Sequence, residues 1–152
     1  MDTENAFVRS NTANPMKKDQ ATSHPAELRI QVTGDTVEHL YINAADAMAD
    51  MLSSKRYANI ASTEKIAVRS ADREAALVDF LNEVLAQSHI ERSVYIPGTV
   101  TVTEEGGGVN VEASMHRYLV PAFDEDIKAV AHQDVHIKHK KGVWETDLVF
   151  DI

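Results

Sequence analysis

An alternating pattern and then a helical pattern of apolar residues begin shortly after residue 25. Residues 28–32 alternate between apolar and polar side chains, which is typical of a half-buried strand. Gly34 ends this strand, and Asp35 or Thr36 can cap a helix that follows. The apolar face of this helix consists of Val37, Leu40, Tyr41, Ala44, Met48, Met51 and Leu52.

The same two patterns recur in the middle of the chain. Ile66 and Val68 alternate with polar residues between Glu64 and Ser70, and Asp72 can cap a second helix. The apolar stripe of this helix consists of Leu77, Phe80, Leu81, Val84 and Leu85. Because each apolar face is narrow, we expect both helices to lie on a sheet.

The second half of the chain has the patterns of strands. Residues 93–104 and 109–119 flank a glycine turn and predict a hairpin. Residues 127–133, 135–140 and 143–152 predict three further strands, and the last one is so apolar that we expect it inside a sheet. Two helices and about seven strands predict a two-layer α+β fold, with both helices on one face of a mostly antiparallel sheet.

Composition narrows the classes of function. The 152 residues suit one domain, which we place at residues 26–152 after a polar, flexible arm at residues 1–25. The chain has no cysteine, which excludes disulfides and cysteine ligands and is compatible with a cytoplasmic location. Its net charge of -9 disfavours direct binding to nucleic acid. No segment has the length and hydropathy of a membrane helix or a secretory signal.

Most catalytic motifs are missing from the sequence. It contains no Gly-x-Ser-x-Gly elbow, Walker loop or dinucleotide-binding glycine motif. His132, His136 and His139 fall in one short segment, and a small metal-dependent hydrolase built on them is one hypothesis. On a continuous strand, however, His132 and His136 would lie about 13 Å apart, too far for one zinc ion. Histidines exposed on a hairpin are the alternative interpretation.

Carboxylates are the better candidate ligands for a cation. Asp151 is an acid at the end of a strongly apolar strand, where burial without a partner would be costly. The main-chain carboxylate of Ile152 adds two oxygen atoms beside it, and hard divalent cations prefer oxygen ligands. Asp151 and Ile152 could therefore clamp a cation. The alternative is that Asp151 is a solvated acid at a strand end.

Three segments give the chain a resemblance to the archease family, the small protein cofactor of the RNA-splicing ligase. Residues 24–30, His-Pro-Ala-Glu-Leu-Arg-Ile, resemble the His-Thr-Ala-Asp opening of the family. Residues 78–85, Val-Asp-Phe-Leu-Asn-Glu-Val-Leu, resemble its second-helix motif. Residues 127–130, Ile-Lys-Ala-Val, and the closing Phe-Asp-Ile at 150–152 resemble its Lys-Ala-Val-Thr segment and its C-terminus.

This resemblance implies an archease fold and a role as an activator that is not itself a catalyst. The family binds a divalent cation (calcium, magnesium or manganese), and the matching ligands here are Glu27, Asp151 and Ile152. Its members help the ligase to become guanylylated by GTP and to turn over in tRNA splicing and RNA repair; the ligase, not archease, uses the GTP. His24 and Lys128 are the residues expected to contact the ligase. We expect a monomer with no membrane association.

The chain also departs from the family pattern near this site. Glu27 stands in place of an Asp, Pro25 in place of a Thr, and Ala131 and Gln133 follow the Lys-Ala-Val segment where the family has Thr and His. These changes motivate a second hypothesis, a divergent module of the archease fold that mediates protein interactions and has lost metal and ligase function.

Overall fold

A computed structural model describes residues 8–12, of which the backbone alone is considered, and residues 26–152. These residues form two helices and eight strands. The elements are β1 (Val8–Thr12), β2 (Glu27–Gly34), α1 (Val37–Leu52), β3 (Ser62–Ser70), α2 (Arg73–Glu91), β4 (Ser93–Glu105), β5 (Gly108–Leu119), β6 (Ala129–Val130), β7 (Lys138–Lys140) and β8 (Val143–Asp151).

Both helices begin at the predicted caps. Thr36 Oγ1 accepts a hydrogen bond from the backbone N–H of His39 at 3.0 Å, and Asp72 Oδ1 accepts one from the N–H of Ala75 at 2.8 Å. Each bond satisfies an N–H that has no partner within its helix. The sequence prediction of the two helix starts is confirmed.

The strands form two antiparallel sheets. The first has the order β1-β2-β8-β6, and β7 also pairs with β8; the second has the order β3-β5-β4. The α+β class is confirmed, but the strands divide between two sheets, whereas the sequence indicated one. As predicted, β8 lies inside its sheet, between β2 on one side and β6 and β7 on the other.

One continuous core joins the two sheets and the two helices. α1 packs against β2 and β4, while α2 packs against β3, β4, β5 and β6. The largest fully buried side chains come from both helices and both sheets and include Tyr41, Phe80, Tyr95 and Phe150. Each helix therefore contacts strands of both sheets.

Two predictions about strands were wrong. The strands expected at 127–133 and 135–140 shrink to β6 and β7, which have two and three residues. Asp134 has a φ of 66°, a left-handed conformation that interrupts an extended chain. In addition, the pairing of residues 8–12 with β2 was not anticipated, because that segment shows no apolar alternation.

Candidate functional site

Two carboxylates lie opposite each other where β2 begins and β8 ends. Glu27 is the direct antiparallel partner of Asp151. The backbone N–H of Ile152 donates to the carbonyl oxygen of Ala26 at 3.1 Å, so the ladder continues to the last residue. Opposed residues in an antiparallel pair have Cβ atoms about 4.5–5.5 Å apart and point to the same face of the sheet. Glu27 and Asp151 are therefore neighbours on one face.

The hydrophobic core fixes this register. Along β2, Leu28, Ile30 and Val32 are buried while the alternate positions are half-buried, and Phe150 of β8 faces Leu28 on the buried side. Shifting the pairing by one residue would turn these apolar side chains to the opposite face. The burial of the apolar residues thus holds the two carboxylates side by side on the other face of the sheet.

Arg29 shares this face of the sheet with several acids. Arg29 lies two residues after Glu27, and one of its guanidinium nitrogens donates to Asp134 Oδ2 at 2.9 Å. This hydrogen bond raises the pKa of Arg29, and the negative charges of Asp147 and Glu27 add to the effect. The hydrogen bond of Arg29 goes to Asp134 and not to Glu27 or Asp151. The sequence interpretation missed Arg29, although the alternation along β2 places it on the same face as Glu27.

Lys128 immediately precedes β6, the third strand at this end of the sheet. Its backbone N–H donates to the carbonyl oxygen of Asp151 at 2.7 Å, and Ala129 is the antiparallel partner of Asp151. The Lys128 side chain is exposed. The structure therefore brings Glu27, Asp151, Ile152 and Lys128 together, while His24 lies outside the described residues.

Side chains of α2 hold the segment that leads into β6. Asn82 donates to the carbonyl oxygen of Val130 at 3.0 Å and accepts from its N–H at 2.9 Å. His89 Nε2 lies 2.8 Å from the carbonyl oxygen of Ile127. No sequence pattern points to His89, because its role depends on a contact with a residue 38 positions away.

The histidines of residues 132–139 do not form a common site. His132 Nε2 lies 3.5 Å from Asp79 Oδ1, whereas the ring of His139 stacks on Trp144 with centroids 4.1 Å apart. His136 contributes its backbone N–H to Thr146 Oγ1. Within residues 26–152, no three His, Asp or Glu side chains are grouped so that they could hold a metal ion. Within residues 26–152, no histidine cluster supports the hydrolase hypothesis.

A cavity of about 530 Å³ lies elsewhere, between the start of α2 and the turn joining β4 and β5. Its lining includes Arg73, Glu104 and Val109, and Arg73 is paired with Glu104. None of the predicted site residues lines it. The volume of this cavity therefore does not identify the functional site, and the carboxylates at the strand ends remain the candidate.

Comparison with known proteins decides the family. The model of the archease protein family (MTH1598/TM1083) matches residues 20–152. The chain belongs to the archease family. The match includes both carboxylates and the C-terminal residue, so the resemblance seen in three segments extends over the whole region between them.

Curated archease proteins align with the chain over nearly their whole length. Protein archease of Methanosarcina mazei is 28% identical over 141 residues, covering 90% of this chain and 97% of the relative. Protein archease of Pyrococcus abyssi is 28% identical over 142 residues, covering 90% of this chain and 100% of the relative.

Solved structures share the archease fold. The solution structure of Methanobacterium thermoautotrophicum protein 1598 has a TM-score of 0.72 at 20% identity and covers 83% of this chain and 92% of that one. The crystal structure of an archease, described as a possible chaperone, from Thermotoga maritima has a TM-score of 0.61 at 16% identity and covers 93% and 98%. The predicted fold family is confirmed.

Neither helix in the described part of the chain is both long and apolar enough to cross a membrane.

Proposed function

We propose that this archease-family protein is a non-catalytic cofactor of an RNA-splicing ligase. It binds a divalent cation at the ends of β2 and β8, and it promotes guanylylation and turnover of the ligase in tRNA splicing or RNA repair in the cytoplasm. Membership of the family supports the role, and the direct pairing of Glu27 with Asp151 supports the cation site. The GTP is used by the ligase.

The donor set at the strand ends fits a hard cation. Glu27 and Asp151 supply carboxylate oxygens from adjacent strands, and calcium, magnesium and manganese prefer such ligands. Ile152, next to Asp151, is the third ligand that the resemblance to the family implies. Glu27 is one methylene longer than the Asp of the family motif, and its extra torsion lets the carboxylate reach toward Asp151.

Each residue near the site has a distinct part in this proposal. A bound cation would supply positive charge that can be presented to the phosphates of the nucleotide used by the ligase. The ladder between β2 and β8 keeps the two carboxylates next to each other, and Arg29 hydrogen-bonds to Asp134 rather than to either of them. Lys128 is exposed beside Asp151 and is available to contact the ligase.

The decisive experiment is guanylylation of the ligase from the same organism with GTP, with and without this protein. We expect wild type to stimulate the reaction and Asp151→Ala to lose stimulation while it remains folded. Asp147→Ala is the matched control, because Asp147 lies on the same face of the same strand, opposite Gln31 rather than Glu27. It should stimulate like wild type.

Two results would contradict the proposal. If neither wild type nor the Asp147→Ala control stimulates guanylylation, the cofactor role is wrong and the chain is an archease-fold interaction module. If Asp151→Ala stimulates as well as wild type, the protein activates the ligase without the carboxylate pair, and the cation site is wrong.

A further inference from the structure

An ion pair crosses the outer face of the first sheet, by which we mean the face that carries Glu27 and Asp151. Arg29 lies on β2, and its antiparallel partner on β8 is Val149. Asp134 belongs to the segment between β6 and β7, and both of these strands pair with β8 on the side opposite to β2. The 2.9 Å hydrogen bond from Arg29 to Asp134 therefore passes over β8. We call this ion pair the bridge.

The length of the segment between β6 and β7 explains how Asp134 reaches across β8. The N–H of Ala131 donates to the carbonyl oxygen of Val149, and the N–H of His136 donates to Thr146 Oγ1. Four residues of this segment thus face two residues of β8, so the surplus leaves the ladder. The left-handed backbone of Asp134, with its φ of 66°, lies in this surplus and turns the chain.

Val149 is buried beneath the bridge. Successive side chains of a strand point to opposite faces, so Val149 lies on the outer face while Leu148 and Phe150 point into the core. Val149 is nevertheless 0% exposed, and it does not belong to the continuous core that contains its two neighbours. Arg29 is its cross-strand neighbour, and the aliphatic part of an arginine covers apolar surface well. The guanidinium is therefore held over the sheet.

The bridge brings a positive charge close to the candidate cation site. Arg29 follows Glu27 by two residues, which is about 6.6 Å along a strand. The negative charge of Glu27 contributes to the raised pKa of Arg29, so these two charges interact. A divalent cation bound to Glu27 would be repelled by the same guanidinium. The carboxylate of Asp134 offsets part of this repulsion, because it accepts a hydrogen bond from the guanidinium directly.

We propose that the bridge sets the affinity of the carboxylate pair for its cation. Arg29 lowers this affinity, and Asp134 limits how far it is lowered. The inference rests on the proposed function, in which Glu27 and Asp151 bind the cation. The charge of a site is one of the properties that tune its affinity for hard cations. A moderated affinity would let the cation exchange, as suits a cofactor that presents it to one ligase molecule after another.

Manganese binding to the purified protein tests this effect without the ligase. Electron paramagnetic resonance measures the free manganese ion and gives the dissociation constant of each variant. At low ionic strength, Arg29→Gln should bind manganese about three- to tenfold more tightly than wild type, since it removes a repelling charge. Asp134→Asn should bind severalfold more weakly, because it leaves the charge of Arg29 without its partner. Both differences should shrink as potassium chloride is added.

The opposite directions of these two changes distinguish an electrostatic role from a structural one. Both substitutions break the same hydrogen bond. A bridge that only held the segment between β6 and β7 in place would therefore change the manganese affinity in the same direction in both variants. Arg29→Lys keeps the positive charge and should bind manganese within about twofold of wild type.

Matched controls make the same changes of charge at the far end of the sheet. Lys140 pairs with Val143, which lies eight residues from Asp151 and so about 26 Å away along β8. Asp35 follows the end of β2, eight residues from Glu27. Lys140→Gln and Asp35→Asn should both bind manganese like wild type. Circular dichroism without metal must show that every variant is folded.

The outcomes separate this inference from the function on which it rests. If wild type binds manganese while Arg29→Gln and Asp134→Asn leave the dissociation constant unchanged, or change it in the same direction, the inference is wrong and the cation site stands. If wild type binds no manganese and shows no thermal shift with calcium or magnesium, the cation site is wrong and this inference is wrong with it.

Discussion

Asp46 shows how a single residue can oppose stability in this fold. Its Oδ1 atom is buried and has no hydrogen-bond partner among the described residues. Burial, with a smaller contribution from the charge of Asp50, raises the pKa of Asp46 to about 6. The ionised form is therefore disfavoured in the native state relative to the unfolded chain. The stability that Asp46 contributes in its protonated form is fully present below the ordinary pKa of 3.8. It is lost as the pH rises through about 6, the pKa of Asp46 in the folded protein.

We therefore expect Asp46→Asn to gain stability relative to wild type as the pH rises. Between pH 4 and pH 8 the difference in unfolding free energy should shift in favour of the variant by about 1–2 kcal/mol, a value reduced for partial solvent screening. Urea unfolding at both pH values measures it. Asp126→Asn, an exposed loop control, should show little change, and a flat difference for Asp46→Asn would refute the assignment.

At the scale of elements, the short strand β6 depends on α2 more than on its own sequence. Only two residues pair with β8, and Asn82 makes both a donated and an accepted hydrogen bond to the backbone of Val130. Val130 is 3% exposed, so water cannot replace these bonds without rearrangement. The side chain of Asn82 thus substitutes for a neighbouring strand on the free edge of β6.

Asn82→Ala should lower the unfolding free energy by about 1–3 kcal/mol, because it leaves a buried N–H and a buried carbonyl unsatisfied. Amide hydrogen exchange at Val130 should become faster. Gln87→Ala is the control on the same helix, since the Gln87 side chain makes a 3.4 Å contact with its neighbour Glu83. Equal effects of the two substitutions would show that Asn82 does not hold β6.

At the scale of the whole molecule, cation binding and folding should be coupled. The paired carboxylates come from the two ends of the domain, so their arrangement exists only in the folded state. A cation that binds only the native state at a hundred times its dissociation constant adds about 2.7 kcal/mol of stability. For a protein of this size that corresponds to a rise of roughly 5–10 °C in melting temperature.

Thermal unfolding with millimolar calcium, magnesium or manganese tests this coupling. Wild type and Asp147→Asn should be stabilised by at least one of the ions, while Asp151→Asn and Glu27→Gln should respond much less. Absence of a shift in wild type would favour the divergent interaction module over the cation-dependent cofactor.

The sequence alone determined much of the fold, because much of the fold is local. Alternation and helical spacing repeat within a few residues, and Thr36 and Asp72 cap helices through bonds that span three residues. The α+β class, both helices, the β4–β5 hairpin and the interior position of β8 were predicted on this basis. The family motifs at the two ends of the domain also named Glu27, Asp151 and Ile152 as a candidate set.

Only the tertiary structure decided which distant residues meet. The pairing of Glu27 with Asp151 and the contact of Asn82 with Val130 depend on strand order and packing, which no local pattern encodes. The division into two sheets and the shortening of β6 and β7 have the same origin. Apolar periodicity shows which face of a helix or strand must be buried. The packing of the whole chain decides which other element covers that face.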